Sequence, residues 1–294
     1  MSEKPQRISD KQLKAQLQQE VKQAENQKIV IENNFPTEII DLPSKGIPYP
    51  EEHPLSSGKI EMKYMTAKEE DILTTQSYIT QGVVLDKLFQ SLIVSNGEGE
   101  KVKYNDILVG DKNAIMVAAR VLGYGKEYKV NIPDPYNNDK PQETVILLNE
   151  IQDKPLHEEI TKYPNNSEFE FELPLSKKRI TFKLMTHGTE RRVEYALKDI
   201  KKKQKRVKDE TDRNMSTRLK NIITAIDGEK DTKFISDFVD NHLMAYDARE
   251  FRNYVKEVTP DLDLGFTFIS DETGDEVEME IPIEVNFFWP DARV

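Results

Sequence analysis

Lys59-Ile-Glu-Met-Lys-Tyr-Met-Thr66 returns 120 residues later as Arg179-Ile-Thr-Phe-Lys-Leu-Met-Thr186. In both stretches apolar side chains alternate, Ile60, Met62 and Tyr64 in one and Ile180, Phe182 and Leu184 in the other, which is the period of a half-buried strand. Each stops at a threonine. Thr66 with Glu69 fits a capping box, so the first strand is predicted to turn into a helix from Ala67 to about Tyr78. Glu190 matches Glu70, and a helix is predicted from Glu190 to Lys208. Two strand-to-helix modules of one kind are the simplest reading, and they set the fold class as α+β.

Working outward, Val83, Leu85, Leu88, Phe89, Leu92 and Ile93 mark a second helix, and Tyr104 to Leu122 a third that closes at Gly123. Tyr128, Val130 and Ile132 alternate, and after the Pro133 to Asp139 loop Val145 to Leu148 returns as a partner strand. Phe169, Phe171 and Leu173 make a hairpin with the strand at 179. Further helices are predicted over Met215 to Ile226, Lys233 to Tyr246 and Ala248 to Val258. The end reads as a hairpin, Leu264 to Phe268 outward and Val277 to Ile281 back, running on to an aromatic strand at Phe287-Phe-Trp-Pro290.

Before the first module, residues 10 to 28 read as a polar helix with a narrow stripe of Leu13, Leu17 and Val21, suited to docking on a partner or to a loose tail. Pro36, Pro43, Pro48, Pro50 and Pro54 then predict an extended arm over about 33 to 57. The expected organisation is a helix and proline-rich arm (1–57), a first module with its hairpin (58–160), a mostly helical second module (161–258) and a C-terminal hairpin with the aromatic strand (259–294).

Composition narrows the function classes. The chain of 294 residues has no cysteine, which excludes disulfide scaffolds, catalytic thiols and thiolate zinc sites. Charged residues reach 32% and the net charge is −11, which opposes contact with a phosphate backbone, so nucleic acid is not an expected partner. No apolar run approaches a membrane span and Met1 to Lys28 does not resemble a secretory signal, so no membrane partner is expected and the place of action is expected to be the cytoplasm.

Motifs for catalysis are sparse. His53, His157, His187 and His242 are scattered, and no phosphate-binding loop occurs. Asp271, Glu272, Asp275 and Glu276 crowd one turn without a calcium-loop pattern, and read as a solvated turn. Lys198, Lys201, Lys202, Lys203, Lys205, Arg206 and Lys208 cover every face of a helix, which suits an exposed helix, or else electrostatic docking on an acidic surface or nucleic acid. No catalytic, cofactor or metal residue is assigned. Phe287, Phe288 and Trp289 would point to both faces of a strand, so one face must meet either a second layer of the same protein or a partner. With Leu13, Leu17 and Val21 they are the candidate partner-binding residues.

Several motifs, in order, resemble the baseplate hub and hub-assembly proteins of T-even-type contractile-tailed bacteriophages. They are Leu42-Pro-Ser-Lys-Gly46, Met65-Thr66 with Glu69-Glu70, Val109-Gly-Asp111, Ala119-Arg120 with Gly123-Tyr-Gly125-Lys-Glu-Tyr128, Ala245 to Pro260, and Ile281-Pro-Ile283 to Asp291. The resemblance spans about residues 40 to 294. Longer members carry zinc-ribbon-like C-x-x-C turns where this chain has Ile132-Pro-Asp-Pro135 and Ser270-Asp-Glu-Thr273, so the resemblance implies degenerate ribbons without zinc. It implies a non-enzymatic structural protein of tail assembly that binds other baseplate or tail proteins, oligomeric or not, in the host cytoplasm or in the virion. An assembly chaperone absent from the virion is the alternative, and a phage-encoded metal-dependent or nucleic-acid enzyme a more distant one.

Overall fold

The computed structural model describes residues 35–207, 212–283 and 287–289, with backbone alone at 205–207. The chain divides into two units, Met1–Pro36 and Thr37–Val294. The predicted helix over 10 to 28, with Leu13, Leu17 and Val21, lies outside the described residues. The second unit is α+β, and its elements occur in two similar series.

In the first module β1 (Thr37–Asp41) and β2 (Lys59–Lys63) pair antiparallel, then come α1 (Ala67–Thr74), α2 (Gln76–Gln81), α3 (Val84–Leu92) and β3 (Ile93–Ser95), completing a sheet of order β1-β2-β3. Helix α4 (Val109–Tyr124) and a long hairpin of β4 (Glu127–Asp134) and β5 (Lys140–Leu147) follow. A connection with β6 (Gln152–Asp153) and α5 (Glu158–Lys162) leads to the second series. There β7 (Glu168–Glu172) and β8 (Arg179–Lys183) pair, α6 (His187–Val207) and α7 (Asn214–Ile222) follow, and β9 (Ile223–Ile226) closes a sheet of order β7-β8-β9. Helix α8 (Thr232–Asp237) with a π turn, helix α9 (Ala245–Val258), β10 (Leu262–Asp263) and the hairpin of β11 (Gly265–Ile269) and β12 (Glu276–Glu280) complete it. β10 pairs back to β6.

The two sheets share their irregularities as well as their order. Pairing with the last strand slips between Glu61 and Met62 in one sheet and between Thr181 and Phe182 in the other, the same position of the repeated octapeptide. Each last strand grows straight out of a helix whose C-cap isoleucine, Ile93 or Ile223, turns extended while its N–H still reaches back four residues. The loop after the first strand is also repeated. Leu42 N–H donates to Gly58 O at 2.8 Å and Leu173 N–H to Lys178 O at 2.9 Å, and Lys45 and Lys177 both adopt left-handed backbone, φ 52° and 57°.

Several expectations change here, among them the helix predicted over Lys233 to Tyr246, which divides into α8, the π turn and the start of α9 because Leu243 and Met244 are extended between them. The segment expected as an arm is part of the first sheet: β1 pairs residue for residue with β2, and Leu42, Tyr49 and Leu55 are buried. Pro43, Pro48, Pro50 and Pro54 follow β1, in turns or at the start of a 3-10 helix, and Pro36 precedes the strand, so none of the missing N–H groups costs a ladder bond. Met215 to Ile226 is not one helix but α7 continuing into β9, because Ile223, Thr224 and Ile226 favour extended backbone once the helix ends.

One hydrophobic core runs through both modules, with Phe182, Phe251 and Phe268 among its most buried large side chains. Each such ring removed from water contributes roughly 2–3 kcal/mol. Among the described residues no helix is long and apolar enough to cross a membrane.

Candidate functional site

The densest group of interacting charges lines a cleft of about 480 Å³ between α3, α4 and α6. Module one supplies Asp86 from the first turn of α3, Tyr104 from a 3-10 turn and Lys112 from α4; module two supplies His187, Glu190 and Arg191 from the first turns of α6. The α6 residues face the cleft because they are spaced three and four apart, on one side of a helix.

His187 is buried beside Tyr104, ring centroids 4.4 Å apart. Its Nε2 lies 3.6 Å from Asp86 Oδ1 and its Nδ1 3.8 Å from Glu190 Oε2. Tyr104 donates its hydroxyl to Asp86 at 3.3 Å, Arg191 sits 3.7 Å from the other Asp86 oxygen, and Lys112 donates to Glu190. His187 and Lys112 hold the Glu190 carboxyl down at about 2, against the opposing effect of burial. Burial, and then the Asp86 charge, push the Tyr104 phenol well above its ordinary range. Asp86 and Glu190 are each answered by cations and donors from across the cleft. The arrangement therefore joins the two modules electrostatically, and it keeps Tyr104 a neutral donor.

Of the residues predicted as candidates for partner contact, Phe287 and Phe288 are turned into the protein's own core, the first of the two alternatives left open for these aromatics. The chain at 287–289 is a turn rather than a strand, so adjacent aromatics do not alternate between two faces. Phe287 meets Tyr128 edge-on at 5.1 Å, Phe288 lies 5.9 Å from Phe89, and Trp289 Nε1 donates to Leu73 O at 3.2 Å.

Lys198, Lys201, Lys202 and Lys203 are exposed on α6; Lys208 falls outside the described residues. Asp271, Glu272, Asp275 and Glu276 are exposed at the hairpin turn, and among the described residues no group of three His, Asp or Glu is placed to hold a metal ion. His53 and His157 use Nδ1 to accept a helix N-terminal amide, from Leu55 and Glu159, while His242 is exposed.

Sequence reasoning missed the roles of Asp111 and Asp247. Asp111 Oδ2 accepts the hydroxyls of Ser44 at 2.8 Å and Tyr49 at 2.7 Å, and Oδ1 accepts the Ser44 amide at 3.0 Å. Burial raises its carboxyl above the ordinary range, with the Tyr49 and Ser44 bonds opposing. Asp247 accepts the amides of Leu175 at 2.8 Å and Ser176 at 3.1 Å, and these bonds outweigh its burial to lower its carboxyl. The available signal was the recurrence of Leu42-Pro-Ser-Lys45 as Leu173-Pro-Leu-Ser-Lys177. Comparison of the chain with protein-family models, with curated proteins and with solved structures gives no match.

Proposed function

We propose that the chain is a non-enzymatic hub or hub-assembly protein of a contractile phage tail baseplate, working by contact with other baseplate proteins in the host cytoplasm and in the tail. The observation that carries this reading is that motifs far apart in sequence, on which the resemblance rests, touch one another. The Leu42 to Gly46 loop is anchored by Asp111 of Val109-Gly-Asp111, and Gly110 of that motif packs under the Pro260 carbonyl. A family resemblance built on residues that form one physical joint is supported as a scaffold rather than as scattered coincidences.

The hairpins fit the same reading as degenerate ribbons. Their turns meet where Ser270 Oγ donates to Asp134 Oδ2 at 2.6 Å, both residues buried. Gln142 adds bonds to Ile269 O and from Asp271 N–H. A carboxylate, a hydroxyl and an amide with no thiol in the chain do not fit a thiolate zinc site, and the hydrogen bonds join the hairpins instead.

Co-purification from infected cells with an N-terminal tag, together with proteomics of finished particles, tests the proposal. Baseplate partners with presence in virions support a retained subunit; the same partners with absence from virions support the chaperone reading. Recovery of no tail protein overturns both.

A further inference from the structure

The start of α4 is where module two docks on module one. Leu108 and Thr186 form an antiparallel bridge, Val109 N–H donates to Met185 O at 3.0 Å, and His187 N–H donates to Ile107 O at 2.8 Å. Leu108 is left 5% exposed. The Lys112 to Glu190 ion pair lies beside the joint.

Module two builds the same helix start at α9. Met244 precedes it with φ −66° and ψ 146°, against −61° and 148° for Leu108, and the anchoring aspartate again sits at the third helical residue. Here nothing among the described residues covers it. Met244 and Tyr246 are each 46% exposed and the neighbouring Leu175 56%. Ala245 N–H and Leu243 C=O, the counterparts of Val109 N–H and Ile107 C=O, have no hydrogen-bond partner among the described residues. The complementary element is equally vacant. Met65-Thr66-Ala67 is the counterpart of Met185-Thr186-His187, and its Met65 C=O and Ala67 N–H also lack partners among the described residues.

We infer that a second copy of this chain docks there, the Met65–Ala67 joint of one copy bridging the Leu243–Tyr246 helix start of the next, so that the contact joining the two modules within a chain recurs between chains. Polar backbone groups left unpaired beside apolar side chains describe a half-built strand bridge, and each copy carries one half of each kind. Charge is compatible: Glu70 stands at the position of Glu190 and is exposed, and Arg249, one residue beyond the counterpart of Lys112, keeps a 61% exposed side chain while pairing with Glu250 at 3.0 Å. The contact is heterologous, so it builds a closed ring or an open chain rather than a two-fold dimer. It does not depend on the tail reading.

Ala245→Pro and Ala67→Pro test it in the full-length chain. Each alters the first residue of a helix, where proline is tolerated because that N–H has no intrahelical acceptor. The preceding residues, Met244 and Thr66 (φ −119°, ψ 173°), are already extended as a proline requires. In sedimentation velocity the wild-type chain should gain mass with concentration, and each variant alone should associate about tenfold more weakly or less. An equimolar mixture of the two should give a species of two chains and nothing larger, since each variant retains the face the other lacks. Met244→Glu, which leaves the backbone groups in place, should weaken association like Ala245→Pro, and thermal melts confirm that the variants fold. A monomeric wild-type chain, variants that associate as wild type, or a mixture without the two-chain species overturns the inference.

Discussion

Asp111 and Asp247 occupy one structural position, the third residue of α4 and of α9, and each receives an amide N–H from the Leu-Pro loop of its own module, at 3.0 Å from Ser44 and 2.8 Å from Leu175. Their surroundings differ. Asp111 also takes two hydroxyls inside the protein, one from Tyr49, whose oxygen accepts the Leu108 amide in turn. Asp247 serves a loop with an exposed Leu175, where water can replace a lost acceptor. Asp111→Ala should therefore cost about 3–5 kcal/mol and Asp247→Ala only about 1–2 kcal/mol. Urea unfolding of both checks the order; equal costs would show that the Tyr49 and Ser44 hydroxyls find other partners.

Acid should destabilise the fold through two carboxyls in particular. Glu69 is buried, which opposes its ionisation, but bonds from Lys63 (2.8 Å), Ser91 (2.6 Å) and Thr66 outweigh that and bring it from an ordinary 4.5 down to about 2. Glu190 is held at about 2 by His187 and Lys112. Because both folded values lie below the unfolded ones, the stabilisation is complete above about pH 4.5 and fades as the pH falls toward 2. Each carboxyl should contribute on the order of 1–3 kcal/mol across that window. Glu69→Gln and Glu190→Gln should each flatten the acid limb of a stability-against-pH curve, with little further loss between pH 4.5 and 2 from the substituted site. An unchanged acid limb would contradict the pairing geometry.

Gly110 should tolerate no side chain, for steric rather than conformational reasons. It lies within α4, where alanine would ordinarily gain up to about 1 kcal/mol over glycine, yet an added Cβ would stand 1.7 Å from the Pro260 carbonyl oxygen. Gly110→Ala should force α4 away from the end of α9, at about 3 kcal/mol or more. Gly82→Ala is the contrast: φ is +68° and nothing lies within 4 Å, so only backbone strain remains, about 1 kcal/mol. Thermal midpoints of the two variants, measured side by side, separate packing from strain.

Local chemistry was the legible part of this chain. The alternation at 59–64 and 179–184 and the threonine stops placed β2, β8 and the helices after them, because burial on one face and capping are both local properties. Thr75 was not legible as a break: what was predicted as one helix from Ala67 divides into α1 and α2, where Thr75 adopts ψ 104°. The short strands β3 and β9 were hidden for a related reason. Leu92-Ile93 and Ile222-Ile223 pass from helix to strand without glycine or proline, and only pairing with β2 and β8 makes them strands. Asp111, His187 and the cleft charges are functions of long-range placement. Nothing near Asp111 in sequence reports that Ser44 and Tyr49 will stand beside it.

The aromatic end should unfold with the core and not before it. Phe287 packs against Tyr128 and Phe288 against Phe89, so the last described residues are held by the first module although they follow the second in sequence. Phe287→Ala should cost about 3–5 kcal/mol, as for any buried ring whose cavity cannot collapse. Trp289→Phe keeps an aromatic ring but loses the bond to Leu73 O, about 1 kcal/mol. Because the chain has one tryptophan, its fluorescence reports this end alone. Urea transitions followed by that fluorescence and by far-ultraviolet circular dichroism should coincide in the wild-type chain. An earlier fluorescence transition would mean that the end detaches locally, with Phe287 and Phe288 contributing to the partner surface rather than to the core.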